Sequence, residues 1–145
     1  MTQQNILIAT DLTDDALTRL QGADDLSITV VPPTMSALRP KLADAHALIS
    51  RDDVTVDATL LDAAPKLRLI ARVSTGVNGI DLEKATARGI LVMNTPGLSA
   101  IAAGEHTLAL MLALSRRLTT AHNSLREGYW LLDRKQQAGV QLLGK

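Results

Sequence analysis

The stretch Asn5-Ile6-Leu7-Ile8-Ala9-Thr10 is followed at once by Asp11-Leu12-Thr13-Asp14-Asp15, and the two together decide the fold. The first six residues form a short apolar run rich in β-formers, which is typical of a buried strand. Thr13 belongs to the residue types that cap helices, and the acids after it suit the positive end of a helix. The pair therefore predicts a strand that leads directly into a helix, which we expect to end near Gly22.

The same strand-then-helix unit recurs through the first 96 residues. Further strands are predicted at residues 27–31, 47–50, 67–71 and 90–93, and further helices at residues 35–43, 56–64 and 82–88. Asp81 is expected to cap the last of these helices, which closes at Gly89. Apolar strands that alternate with helices favour parallel pairing with right-handed crossovers. The fold class predicted is α/β, with a doubly wound parallel sheet of five strands.

The chain changes character after Asn94-Thr95-Pro96-Gly97, a turn-forming stretch that predicts a domain boundary between residues 1–96 and 97–145. Residues 100–117 then form a predicted helix that is apolar on nearly all sides. We expect such a helix to be buried all round. A second helix, at residues 119–127, is expected to end at Gly128.

The composition excludes several classes of protein. Fifteen basic and fifteen acidic side chains cancel, so no global field favours nucleic acid or an anionic membrane. The chain has no cysteine, which excludes disulfides and thiolate metal sites, and its histidines and acids do not match zinc-ligand spacing. The longest apolar run, residues 108–114, is too short to span a bilayer, and the first residues lack the pattern of a signal peptide. We expect a cytoplasmic protein with no metal.

Two loops at the ends of predicted strands suit an anionic ligand. Arg51 follows the third strand, and Arg72-Val73-Ser74-Thr75-Gly76-Val77-Asn78-Gly79 follows the fourth. Small residues in such a turn let successive amides converge on an anion, and guanidinium groups add bidentate hydrogen bonds. The alternative is that the glycines only satisfy turn geometry, while Arg51 pairs with Asp52 or Asp53 in solvent.

Glu105 and His106 invite interpretation as a catalytic pair. Neighbouring residues on a helix point in different directions, so the two side chains cannot orient each other. We expect a structural role, with Glu105 interacting with the N-terminal dipole of its helix.

Three motifs in a fixed order resemble a known family. They are Arg72-Val73-Ser74-Thr75-Gly76-Val77-Asn78-Gly79-Ile80-Asp81, then Ala87-Arg88-Gly89-Ile90-Leu91-Val92-Met93-Asn94-Thr95-Pro96-Gly97, then Gly104-Glu105-His106-Thr107-Leu108-Ala109-Leu110. Together they resemble the D-isomer-specific 2-hydroxyacid dehydrogenases, and the resemblance covers essentially the whole chain. The series is far more specific than any one motif.

The resemblance implies a flavodoxin-like substrate-binding domain at residues 1–96 and, at residues 97–145, the helical start of a Rossmann domain that binds NAD. It implies that the amides of the loop receive the substrate carboxylate, that Thr75 also lies near the cofactor, and that two arginines suit the phosphate of a phosphorylated hydroxy acid. These expected substrate-binding residues are Arg51, Arg72, Ser74, Thr75, Gly76 and Val77.

The resemblance also places the Gly-x-Gly-x-x-Gly turn and the catalytic arginine, glutamate and histidine of the family beyond Lys145. We therefore expect this chain to be a truncated part of the enzyme, to bind NAD poorly, to be inactive by itself and to form a homodimer or larger species through the helices at residues 100–130. The alternative is a non-catalytic ligand-binding or assembly module derived from the family. The identity of the hydroxy acid, and NAD against NADP, stay open.

Overall fold

The computed structural model describes residues 3–97, 99–129 and 135–144. The chain divides into two compact units, Met1–Pro96 (unit 1) and Gly97–Lys145 (unit 2). The strands are β1 (Gln4–Ala9), β2 (Leu26–Val30), β3 (Ala47–Ser50), β4 (Leu69–Arg72) and β5 (Leu91–Asn94). The helices are α1 (Asp14–Gln21), α2 (Met35–Leu42), α3 (Ala58–Ala63), α4 (Leu82–Ala87), α5 (Ala100–Ser115) and α6 (Leu118–Arg126).

Unit 1 is built on one sheet of five parallel strands in the order β2-β1-β3-β4-β5. This is the strand order of flavodoxin-like folds, and it confirms the predicted α/β class. In the central strands Leu48 lies opposite Leu7 on one side and Ile70 on the other. All three side chains are buried in the core of unit 1. Central parallel strands are covered on both faces, which explains their nearly continuous apolar sequence.

Helices α1 and α4 begin where the sequence places capping residues. Thr13 accepts a hydrogen bond from the amide of Ala16 at 3.3 Å, and Asp81 accepts one from the amide of Lys84 at 3.0 Å. Each cap satisfies an amide that the first helical turn leaves without a partner. Both predicted caps are therefore confirmed.

Helix α3 begins two residues later than predicted, so the expected start at Val56 is wrong. The amide of Val56 donates to the carbonyl oxygen of Gly79 at 2.7 Å, and its own carbonyl accepts from Asp81 at 2.9 Å. These bonds form an isolated parallel bridge, which suits a β-branched residue. Asp57 then caps the helix by accepting from the amide of Leu60 at 2.8 Å.

Helix α5 in unit 2 corrects the expectation that it would be buried all round. None of its side chains is buried, and its large apolar residues are exposed. Complete burial needs other elements to supply the covering surface. Within the described residues, unit 2 has only one further helix, α6, which is nine residues long.

In the parts of the chain that the structure describes, no helix has the length and hydrophobicity needed to cross a membrane.

We predict that Leu48→Ala lowers the free energy of unfolding of unit 1 by about 2–5 kcal/mol, because it leaves a cavity in the middle of the sheet. Val30→Ala is the control, since Val30 lies on an edge strand with 57% of its surface exposed. Its expected effect is within about 0.5 kcal/mol. Urea unfolding followed by circular dichroism measures both. Equal losses for the two variants would show that the core is not centred on β3.

Candidate functional site

The carboxyl ends of the parallel strands lie at one edge of the sheet, and the candidate site is built there. Strands β2 and β3 lie on opposite sides of β1 in the sheet. The connection that follows β1 therefore runs toward one side of the sheet, and the connection that follows β3 runs toward the other. Ligands of open α/β sheets bind at such a switch point. A cleft of about 330 Å³ opens there, lined by Thr10, Asp11, Pro33, Arg51, Asp52 and Asp53.

Arg51 is exposed and lines this cleft. Its guanidinium forms no hydrogen bond or ion pair with any residue in the described ranges 3–97, 99–129 and 135–144. The alternative that Arg51 pairs with Asp52 or Asp53 is therefore not what the structure shows. An exposed guanidinium in a cleft is available to a ligand carboxylate or phosphate.

The amide loop, residues 74–77, is held by its carbonyl groups against the end of β5. Asn94 donates from Nδ2 to the carbonyl of Thr75 at 2.9 Å. Thr95 donates to the carbonyl of Ser74 from its amide at 2.9 Å and from Oγ1 at 3.1 Å. In a trans peptide the N–H points opposite to the carbonyl, and the described chain has no cis peptide. The amides of Thr75 and Gly76 therefore point away from β5.

The amides of the loop have no partner within the described residues. Among the described residues, no acceptor receives a hydrogen bond from the amides of residues 74–77. Thr75 is exposed, and Ser74, Gly76 and Val77 are half-buried. A β-carbon added at Gly76 would make ordinary van der Waals contact with the side chain of Asn78 at 3.7 Å. Consecutive amides without partners suit an anion where the turn lets them converge.

Ser74 connects the amide loop to the loop that follows β3. Its hydroxyl lies 2.9 Å from Oδ1 of Asp52 and 2.9 Å from the carbonyl oxygen of Gly76, so the two acceptors share one proton. The carbonyl of Gly76 is thereby turned toward Ser74, which leaves the amide of Val77 pointing the other way. Asp52 is thus the residue that joins the cleft to the amide loop.

Arg72 does not occupy the position expected of a residue that contacts substrate. Only 1% of its surface is exposed, and its Nη1 donates to the carbonyl oxygens of Arg51 and, at 2.9 Å, Val54. Burial lowers the pKa of Arg72, and the nearby charges of Asp52 and Asp53 act in the opposite direction. Its Nε and Nη2 have no partner among the described residues. Arg72 therefore supports the loop after β3 from inside.

The sequence carried a signal for this burial. Arg72 lies two residues after Ile70 on β4, and alternate residues of a strand share one face of the sheet. Ile70 is fully buried in the core, so Arg72 continues the buried face. The hydrogen bonds from Asn94 and Thr95 were also missed, although both residues follow the next parallel strand and hence share its edge.

The other candidate residues lie elsewhere. Glu105 and His106 are exposed on α5, and Glu105 lies beyond the first turn of the helix. Its expected role at the helix dipole is therefore wrong, because that interaction fades after the first turn.

His46 accepts a hydrogen bond at Nδ1 from the amide of Asn5 at 3.0 Å, which supports the start of β3. The described residues contain no group of three or more potential metal ligands.

The fold and the site define a flavodoxin-like unit with a loop of amides that have no partner among the described residues at the carboxyl edge of its sheet. Residues 6–137 match the family model described as the catalytic domain of D-isomer specific 2-hydroxyacid dehydrogenases. The chain belongs to this family.

Curated relatives and solved structures agree with that assignment. The chain is 40% identical over 141 residues, 97% of its length, to D-3-phosphoglycerate dehydrogenase of Mycobacterium bovis, and 37% identical over 140 residues to that of Methanocaldococcus jannaschii. It spans only about a quarter, 26%, of the length of each of these relatives.

Two solved structures show the same fold. One is an NADPH-dependent glyoxylate/hydroxypyruvate reductase of Sinorhizobium meliloti in complex with citrate, with a TM-score of 0.75, 25% identity, and coverage of 100% of this chain and 45% of that one. The other is a D-lactate dehydrogenase of Aquifex aeolicus complexed with NAD and lactic acid, with a TM-score of 0.70, 26% identity, and coverage of 87% and 38% respectively.

We predict that Arg72→Met lowers the free energy of unfolding by about 1–3 kcal/mol, because two carbonyls of the loop after β3 lose their charged donor while the long side chain is kept. Arg51→Met is the matched control, since it makes the same change on an exposed side chain. Its expected effect is within about 0.5 kcal/mol. Urea denaturation of both variants gives the comparison. A larger loss for Arg51→Met would contradict the assigned positions of the two arginines.

Proposed function

We propose that this chain forms the acid-binding part of an NAD-dependent D-2-hydroxyacid dehydrogenase, an oxidoreductase that acts on a CH–OH group. The observation that carries the proposal is the set of amides at residues 74–77 that have no partner among the described residues, in a loop whose Ser74 is hydrogen-bonded to Asp52 of the cleft lining. Family membership supplies the reaction class.

In this proposal the carboxylate of the hydroxy acid accepts hydrogen bonds from the amides of Ser74, Thr75, Gly76 and Val77. The amides of Thr75 and Gly76 are oriented by the hydrogen bonds from Asn94 and Thr95, so they need little reorganisation when an anion binds. Holding the carboxylate fixes the direction of the neighbouring carbon, from which the hydride leaves. The loop would thus orient the substrate rather than perform a proton transfer.

Arg51 would contact the far end of the acid from the cleft. A guanidinium suits a phosphate and a second carboxylate equally well, and it also binds hydroxyl oxygens. Similarity to D-3-phosphoglycerate dehydrogenases makes a phosphorylated acid one candidate. An unphosphorylated acid is the other, and the charges around Arg51 decide between them. Arg72 acts in this proposal by holding the main chain beneath Arg51.

NAD would accept the hydride, and Thr75 is the residue of this chain that we propose lies beside it. The fit of the sequence to the rest of the dinucleotide is poor, because the 145 residues contain no Gly-x-Gly-x-x-Gly turn to receive its pyrophosphate. Residues 97–145 are proposed as the helical start of the NAD-binding domain, and residues 1–96 as the substrate-binding domain.

The exposed helices of unit 2 support self-association. Leu110, Ala113, Leu114, Arg117, Thr119 and Thr120 line a groove of about 370 Å³ at the junction of α5 and α6. Burial of apolar surface gains about 25 cal/mol per Å², and exposed apolar patches of this kind mark interaction sites. We propose a homodimer or larger species formed through these helices.

We predict that D-glycerate binds to the 145-residue chain and shifts the amide resonances of residues 74–77 in two-dimensional NMR spectra. The shift follows from new hydrogen bonds to amides that have no partner among the described residues. The amides of residues 23–25, which precede β2 at the opposite end of the strands, serve as the internal control and should stay in place. Equal shifts across the chain, or none at the loop, would exclude the loop as the acid site.

Adding NAD and 3-phosphoglycerate to the same sample tests whether this chain by itself oxidises the acid. We expect no NADH absorbance at 340 nm, because this chain is proposed to bind the acid without supplying the groups that move the proton. Measurable NADH would show that residues within the 145 carry out the chemistry.

We predict that Leu114→Glu shifts the protein toward monomer in light scattering, because it places a charge in the apolar groove, where 84% of Leu114 is now exposed. Leu143→Glu is the matched control. Leu143 is 85% exposed and lies outside both helices, so this variant should keep the mass of the original protein. A monomeric starting protein, or dissociation by both variants alike, would contradict association through α5 and α6.

A further inference from the structure

Asp52 occupies the point where the cleft meets the amide loop. Its Oδ1 accepts the hydrogen bond from Ser74 at 2.9 Å, and its carboxylate lines the cleft next to Arg51. Within the described residues its Oδ2 has no hydrogen bond or ion pair. A carboxylate oxygen in this position can accept a hydrogen bond from a ligand, but it has no proton to donate.

The charges of the cleft are predominantly negative. Three carboxylates line it, those of Asp11, Asp52 and Asp53, together with the single guanidinium of Arg51. Arg72 lies beneath, but it is buried and its Nη1 is held by main-chain carbonyls. Three negative charges therefore face two positive ones, of which only one is accessible. A cleft lined by an excess of one sign repels ligands of the same sign.

The two candidate substrates differ in what they bring to Asp52. The far end of D-glycerate is a hydroxyl, which can donate a hydrogen bond to the free carboxylate oxygen. The far end of 3-phosphoglycerate is a phosphate that is close to doubly charged at neutral pH and offers mainly acceptors. The phosphate would gain an interaction with Arg51 and meet repulsion from Asp52 at the same time.

We propose that Asp52 is a specificity-determining residue, which makes the site prefer a 2-hydroxy acid with an uncharged far end over a phosphorylated one. This inference rests on the proposed function, in which the amide loop holds the substrate carboxylate. Asp52 acts on the far end of the acid through its charge, while its bond to Ser74 anchors the loop.

The test uses NMR titration of the 145-residue chain with D-glycerate and with 3-phospho-D-glycerate, for the original protein and for Asp52→Asn. Asparagine keeps an Oδ1 that accepts from Ser74, so the loop stays anchored while the charge is removed. We expect the original protein to bind D-glycerate with the lower Kd. In Asp52→Asn the Kd for 3-phospho-D-glycerate should fall by about tenfold, and the Kd for D-glycerate should change by less than about twofold.

Asp24→Asn is the matched control, because it makes the same change of net charge on an exposed residue that precedes β2, at the opposite end of the strands. It should leave both Kd values unchanged. The gain of Asp52→Asn for the phosphorylated acid should also shrink at high salt, because the repulsion it removes is screened. A merely structural role of Asp52 would not produce this salt dependence.

The outcomes separate this inference from the proposed function. If neither acid shifts the amide loop, the proposed function fails and the role of Asp52 fails with it. If the loop shifts, but the original protein prefers the phosphorylated acid or Asp52→Asn changes both Kd values equally, only the inference about Asp52 is overturned. Selective tightening for the phosphorylated acid supports it.

Discussion

The parallel pairing of β3, β4 and β5 is the constraint on which the site depends. Parallel strands end at the same edge of a sheet, so the segments after these three strands meet although they are about twenty residues apart in sequence. Asn94 and Thr95 can then fix the carbonyls of the amide loop, and Ser74 can reach Asp52. Without this register the loop would lose the bonds that orient the amides of Thr75 and Gly76, and only the bond from Ser74 to the carbonyl of Gly76 would remain within it.

The two arginines at this sheet edge have different positions: Arg72 is buried and holds the main chain, and Arg51 is exposed in the cleft. Burial desolvates Arg72 and lowers its pKa, and the hydrogen bonds to two loop carbonyls and the charges of two aspartates offset this cost only in part. Arg51 contributes a main-chain carbonyl to that arrangement while its side chain remains in the cleft. The buried guanidinium therefore fixes the backbone that carries the exposed one. Such a division suits a site that needs a cation at a defined position.

In unit 2 the longest helix, α5, has no buried side chain. Helix α5 is apolar on nearly every side, so it has no polar face that could be left in water while an apolar face is buried. The surface that covers it must come from beyond the helix itself, and a second copy of the chain can supply such a surface. None of the side chains of α5 is buried, whereas its amphipathic neighbour α6 buries Ser124.

The sequence by itself determined the order of strands and helices, the α/β class and the caps at Thr13 and Asp81, because periodicity and capping are local properties. It also pointed to the loop at residues 74–77, since small residues and glycine after a buried strand are readable without a fold. Val56 was misassigned because its bridge to Ile80 joins residues far apart in sequence.

Tertiary structure alone decided which arginine faces the cleft, which carbonyls the end of β5 engages, and that Asp52 lies against Ser74. Each of these depends on the register between neighbouring strands and on which groups the folded loops leave exposed. Residue type and spacing gave signals for the burial of Arg72 and for the sheet edge that Asn94 and Thr95 share, but they do not fix which atoms meet there.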